Sequence, residues 1–331
     1  MIAGRTARAL VLLAAAACLA GPAGAAPGVR DPWLWPFVPS SEWNLPLGSG
    51  ATFSAPDAPI SRDLRAGVAI IHAGEWSHPV YLARADDPVV DIYDKENNRH
   101  FRARVPPSAR PDPKWDAHMY VVDPTHHWVI EMYGTKILPD QRITTVRAFR
   151  VDLYGTGMHL TDGKYPGIRA MDASGFGGLI RAWELRAGRI RHAVTFLLPF
   201  SRLRHGPVWP SRREDYWGFR DYKGNVPIGT LIAIPPSVDI SRLGLSRGGQ
   251  ILARALQDYG AYCDDSSGTN GITLSAEGAS EGMPELAEMR ADFPRIRGLL
   301  LAVTNNTPAT PGGGGARREP PAPPLDPHPG S

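Results

Sequence analysis

The residues best suited to chemistry lie between Trp115 and Tyr133, in the stretch WDAHMYVVDPTHHWVIEMY. It holds two carboxylates, Asp116 and Glu131, with His118 and Tyr120 between them. Glycoside hydrolysis needs two carboxyl groups across a sugar bond, one protonated and one ionised, about 5–9 Å apart. Glu131 suits the general acid, Asp116 the base or nucleophile, and His118 a partner that orients Glu131 or shares its proton. A polysaccharide lyase instead uses a His or Tyr base beside a uronate whose carboxylate is neutralised. His118, Tyr120, His192 and Arg181 match that second recipe. A metal is a third option, with His118 and Glu131 joined by Asp116 or His192 as donors. No HxH, HExxH or paired-Cys spacing supports it, so no cofactor and no metal ligand is assigned.

These side chains share a face only if the stretch is a β-hairpin. Two alternating runs, His118 to Asp123 and His127 to Tyr133, flank a turn at Pro124 and Thr125. Asp116, His118, Tyr120, His127, Glu131 and Tyr133 then lie on one side, and Met119, Val121, Trp128, Ile130 and Met132 on the other. A two- or four-residue loop sets His118 directly across from Glu131; other loop lengths separate them.

Other segments supply candidate walls. Trp76 and His78 stand at the start of a strand and are candidates for lining a cleft. Strands are expected at Val68 to Ile71, Ile143 to Leu153, Ile190 to Leu198, Thr230 to Ile234, Ala261 to Asp265 and Gly271 to Ser275. His192 falls on the Ile190, Val194 and Phe196 face and joins the site only if that face meets the hairpin. Gly155 to Gly178 reads as a long loop carrying His159, Asp162, Asp172 and Ser174, of a kind that is often functional. Its glycines lack the strand and helix context of a phosphate-binding fingerprint. Arg181 follows in a short helix. Ser246 to Gly260 is the one strongly periodic helix, with Ile251, Leu252, Ala255, Leu256 and Tyr259 on one stripe.

The chain ends frame this unit. Arg5 and Arg8 precede an apolar run to Ala20 and a small-x-small site at Ala23 to Ala25, the pattern of a secretory signal peptide over 1–25. Ala15 to Cys18 is a weak lipobox look-alike, so lipoprotein anchoring through Cys18 is the alternative to a secreted or periplasmic location. The apolar run is short for a membrane span. Without the leader only Cys263 remains, which excludes an intrachain disulfide. Removing Arg5 and Arg8 takes the net charge from +3 to +1, which argues against a nucleic-acid binder. Residues 304–331 are rich in Pro and Gly and are expected to be a disordered tail. The remainder, 26–303, reads as a single β-rich domain. Strands do not alternate with helices, so the expected fold is all-β, a β-sandwich of jelly-roll type with one packed helix and long loops.

The pattern Asp116-x-His118-Met119, Glu131, Gly177-Gly178-Leu179-Ile180-Arg181, Ile190-x-His192-Ala193 and Ala255-Leu256-x-x-Tyr259-Gly260 resembles a family of secreted bacterial proteins. Its members are largely uncharacterised and are suspected to act on carbohydrate. The likeness runs from about Trp33 to Leu274 and implies a single domain without supplying a reaction. Arg213 to Asp215 depart from the pattern, where an aromatic and alanine segment follows a Trp-Pro pair. The expected function is a secreted polysaccharide-active enzyme, with a non-catalytic lectin-like module as the alternative.

Overall fold

The computed structural model describes residues 28–158 and 167–327. The signal-peptide segment with Cys18, and His159 and Asp162 of the long loop, lie outside the described residues. The strands run β1 Val68–His72, β2 Val80–Leu82, β3 Val89–Asp94, β4 Arg99–Arg104, β5 Met119–Val122, β6 Trp128–Tyr133, β7 Lys136–Ile137, β8 Ile143–Thr145, β9 Arg147–Asp152, β10 Val194–Leu198, β11 Leu203–Arg204, β12 Val226–Pro227, β13 Leu231–Ala233, β14 Ala261–Ser266, β15 Gly271–Ser275 and β16 Leu301–Ala302. The α-helices are α1 Pro59–Arg65, α2 Ala182–Ala187, α3 Gly218–Asp221, α4 Arg247–Asp258 and α5 Pro284–Arg297.

Strands dominate, in several sheets with few helices. The largest sheet has the order β1-β15-β10-β14-β13-β16, and two four-stranded sheets have the orders β2-β5-β6-β9 and β4-β3-β8-β7. The β1·β15, β10·β14, β2·β5 and β3·β8 pairs are parallel. These pairs depart from the antiparallel pairing of the expected jelly roll. β14 and β15 are consecutive in the chain but are separated in the sheet by β10, which pairs with both.

The β5–β6 hairpin forms, but two residues out of the expected register. Tyr120 pairs with Glu131 and Met119 with Met132, because the connection spans Asp123 to His127. A shift of two preserves the faces. Met119, Val121, Ile130 and Met132 pack with Ile92 and Ile143 of the small sheet in one core. Tyr120, Val122, Val129 and Val151 face the larger core. The hairpin is therefore apolar behind, as expected, and is also covered in front along most of its length.

α4 begins as the sequence indicates, with the Ser246 hydroxyl accepting from the Gly249 amide at 3.1 Å. It packs on α5, a second substantial helix that the sequence reading did not place. Asp292 of α5 accepts from the Ser246 amide and Glu288 from the Gly248 amide, so α5 satisfies donors that the start of α4 leaves open. The C-terminal segment is not a loose tail. Gly48 bridges Arg317, Arg30 bridges Leu325, and the Gly48 amide donates to the Gly312 carbonyl at 2.9 Å. Runs of glycine here let two stretches of backbone meet closely rather than leaving the chain unstructured. No helix of the described residues is long and apolar enough to cross a membrane, and Cys263 is free and buried.

Candidate functional site

Two adjoining hollows, of about 400 and about 740 Å³, share Trp115, Asp116, His118 and Arg169 and form one cleft with two lobes. The first lobe also has His72, Trp76, His78 and the hydroxyl-bearing Thr269, Thr273 and Ser275, while Ser266 and Ser267 line both lobes. The second adds Tyr133, Arg147, Asp215 and Asp265. The β5–β6 hairpin supplies one wall and the β10–β14–β15 end of the large sheet another.

Burial controls the hairpin side. The His118 imidazole packs against His78 and Tyr133, with ring centroids 4.6 and 5.4 Å away. Its Nδ1 lies 3.3 Å from the Met132 carbonyl oxygen, an atom that can only accept. Nδ1 therefore carries the proton and Nε2 the lone pair. Burial, aided by the nearby Arg169 charge, lowers the His118 pKa to about 3, so the ring is neutral at ordinary pH. His78 is neutral for the same reasons, with its pKa held well below the usual histidine range. Its Nε2 accepts from Arg169 Nη1 at 3.2 Å, and its Nδ1 has no hydrogen-bond partner among the described residues. Asp116 is partly exposed at the lip. Desolvation raises its carboxyl, with Arg169 opposing.

Glu131 does not face the cleft. It is fully buried and accepts four hydrogen bonds: from Ser174 Oγ at 2.5 Å and from the amides of Phe176, Ile168 and Gly175 at 3.1 to 3.2 Å. Burial pushes its pKa up to about 7 against the pull of those donors. Its geometry makes it the anchor of the 167–176 segment, which covers the middle of the hairpin. That corrects its assignment as general acid. The segment sits so close that a Cβ on Gly175 would lie 2.1 Å from the Tyr120 hydroxyl, which leaves room only for glycine. Tyr120 is consequently a buried support behind His78, at 5.0 Å between centroids, and not a wall of the cleft.

The anchored segment delivers Arg169. Its guanidinium donates from Nε and Nη2 to both oxygens of Asp264, at 2.9 and 3.1 Å, and lies 3.5 Å from Asp265. Burial alone would lower the arginine pKa; the two carboxylates outweigh it and raise it. Alternation along β14 would normally send adjacent acids to opposite faces. Here the register shifts between Phe196 and Leu197, so that Phe196 pairs with Cys263 and Leu197 with Asp265. Asp264 is the extra residue, and the irregularity re-aims both acids toward one arginine. Asp265 is pushed well above the ordinary carboxylate range by burial and by the neighbouring Asp215 and Asp264, with Arg169 opposing. Tyr133 is raised by burial and then by Asp116 and Asp265, which places its phenol within the field of both.

Of the expected site residues, Asp116, His118, Trp76 and His78 meet in the cleft. His192 and Arg181 do not. His192 precedes β10 rather than lying on it, and its Nε2 is 3.1 Å from Glu184. Burial would lower its pKa, but Glu184 more than compensates and raises it. Arg181 pairs with Glu277 at 2.5 Å and lies over the rings of Trp33 and Phe176, each at 4.5 Å. Both residues build a buried ionic cluster at the start of α2, which removes them from substrate contact. The sequence reading missed Arg169, Asp265 and Trp115. The signal for Asp265 was two successive acids closing an apolar strand; Arg169 lay inside the loop already marked, but without a partner to single it out. Asp215 also lines the cleft and accepts from the Tyr222 hydroxyl at 2.5 Å.

Among the described residues no group of three or more His, Cys, Asp or Glu side chains is placed to hold a metal ion. No family model, curated protein or solved structure matches the chain.

Proposed function

We propose that the protein is a secreted carbohydrate-active hydrolase that cleaves a glycosidic bond in the Asp116–Asp265 cleft. The observation that carries this reading is that two carboxyl groups, one from the turn before β5 and one from β14, line one lobe and are both raised above their ordinary range. Unequal environments divide the roles of acid and base. Asp265, the more enclosed, holds a proton for the glycosidic oxygen as the C–O bond breaks. Asp116, at the open lip, acts as base toward water or as nucleophile at the anomeric carbon. The neutral His118 offers Nε2 as an acceptor for a sugar hydroxyl or for the attacking water. Glu131 holds the segment that carries Arg169, and Arg169 fixes Asp264 and Asp265.

The lyase alternative is weaker in this geometry, because Arg169 is committed to protein carboxylates rather than open to a uronate. A binding module remains the second reading. Trp115, 73% exposed, and Trp76, 39% exposed, meet edge to face at 6.4 Å at the mouth of the first lobe and suit stacking on sugar rings.

Incubation with a panel of glycans, followed by assays for reducing ends and for the ultraviolet absorbance of an unsaturated uronate, separates these readings. New reducing ends without that absorbance, lost in both Asp116→Asn and Asp265→Asn, support the hydrolase. The absorbance would support a lyase, and binding without cleavage the lectin-like module.

A further inference from the structure

The cations described on the walls of the cleft are already paired with carboxylates of the protein. Arg169 is bidentate to Asp264 and near Asp265. Arg147 donates to both oxygens of Glu96, at 2.9 and 2.6 Å. Against them, Asp116 and Asp215 line the second lobe. A ligand carboxylate entering here would lose water, meet like charge, and find no uncommitted cation among the described residues. The first lobe shares Asp116, Arg169 and Ser267 with the second and adds Trp76 and a hydroxyl cluster. Its indoles accompany a hydroxyl cluster in which Thr269 Oγ1 lies 2.6 Å from Thr273 Oγ1 and 2.8 Å from Ser267 Oγ. Hydroxyls both donate and accept, and so complement sugar hydroxyls in either sense.

We infer that the cleft takes an uncharged glycan and excludes polyuronides. The inference names the substrate class of the proposed site and rests on the carbohydrate reading of it. Specificity of this kind comes from repulsion of the wrong ligand as much as from attraction of the right one.

Tryptophan fluorescence titration of the full chain tests it directly. The probes are neutral gluco-, xylo- and manno-oligosaccharides, oligogalacturonates of matched length, and deacetylated chito-oligosaccharides. The expected result is saturable quenching by at least one neutral probe, an affinity that salt leaves nearly unchanged, and no quenching by oligogalacturonate at the same concentration. Trp115→Ala, at an exposed position, should weaken the neutral probe about tenfold. Oligogalacturonate binding as tightly as the best neutral probe overturns the inference, as does a cationic probe that binds tightest with affinity falling in salt. Cleavage of a polyuronide would overturn it while leaving a carbohydrate enzyme in place. Neutral binding without cleavage supports it while removing the hydrolase reading. Failure of every probe to bind overturns both.

Discussion

Arg169 and Asp264 form a two-pronged ion pair in which neither side chain is more than 3% exposed. Such a pair need not stabilise the fold relative to an apolar one, but leaving one half of it buried alone is costly. Arg169→Met and Asp264→Asn should each lower unfolding free energy by about 3–5 kcal/mol. Arg169→Lys should recover only part, since an ammonium cannot reproduce the fork. Denaturant titration measures these values, and Arg169→Met with Asp264→Leu should cost less than Arg169→Met and Asp264→Leu measured singly and added together.

Glu131→Gln makes a related but separable prediction. Its carboxylate accepts three amides and a hydroxyl. A carboxamide must turn an NH₂ group toward some of those donors, and the loss should be about 2 kcal/mol or more. The segment over residues 167–176 should then open, read as faster hydrogen exchange and earlier proteolytic nicking there. Asp116→Asn should leave both unchanged while abolishing turnover. Equal protection of the segment in the wild type and Glu131→Gln would refute the anchoring role.

How far the sequence revealed this site follows from which forces are local. Alternation from Asp116 to Tyr133 is local, and it correctly picked out the apolar back of the hairpin, while the face expected to be polar meets the larger core through Tyr120, Val122 and Val129. The register depended on one loop and came out two residues away, yet the faces survived because the pleat repeats every two residues. That most of this face is covered depends in part on the 167–176 segment meeting Glu131, a contact between residues 37 to 45 positions apart. An acid on such a face looks the same from sequence whether a cleft or a backbone segment lies over it. Asp264 and Asp265 were hidden in the same way, since only the irregular register with β10 turns both toward Arg169. α5 was obscured by its charged residues and internal Pro294, although Leu286, Met289, Phe293 and Ile296 do fall on one helical stripe.

His78 and His118 contribute one sense of pH dependence to stability. His118 is depressed to about 3, and His78 well below its ordinary 6.5. Unfolded, both take up protons as pH falls through about 6.5; folded, they do not. Their contribution is present above that value and is lost as pH falls toward 3, with a slope of about 1.4 kcal/mol per pH unit for each histidine. His192, raised by Glu184, acts in the opposite sense over its own range. The raised carboxyls of Glu131 and Asp265 act in the opposite sense over much of the same range, so the histidine contribution is read by difference: as pH falls from about 6.5 toward 3, His118→Asn should lose less stability than the wild type, whatever it does to stability at pH 7. An unchanged slope in His118→Asn would count against a neutral buried ring.

The division of labour between Asp116 and Asp265 predicts the shape of the pH–rate curve. The base must be ionised, so kcat/KM should rise with pH through the Asp116 value, which burial sets above the ordinary aspartate range. The acid must be protonated, so kcat/KM should fall again as pH passes the higher Asp265 value. Asp265→Asn should abolish the alkaline limb and cut turnover of an unactivated glycan by about 10²–10⁴-fold. A glycoside with a good leaving group needs little protonation, so the same variant should cleave it far less impaired. Asp116→Asn should spare neither substrate. If instead Asp265→Asn is equally defective on both while Asp116→Asn retains activity on the activated glycoside, the acid and base are assigned the wrong way round.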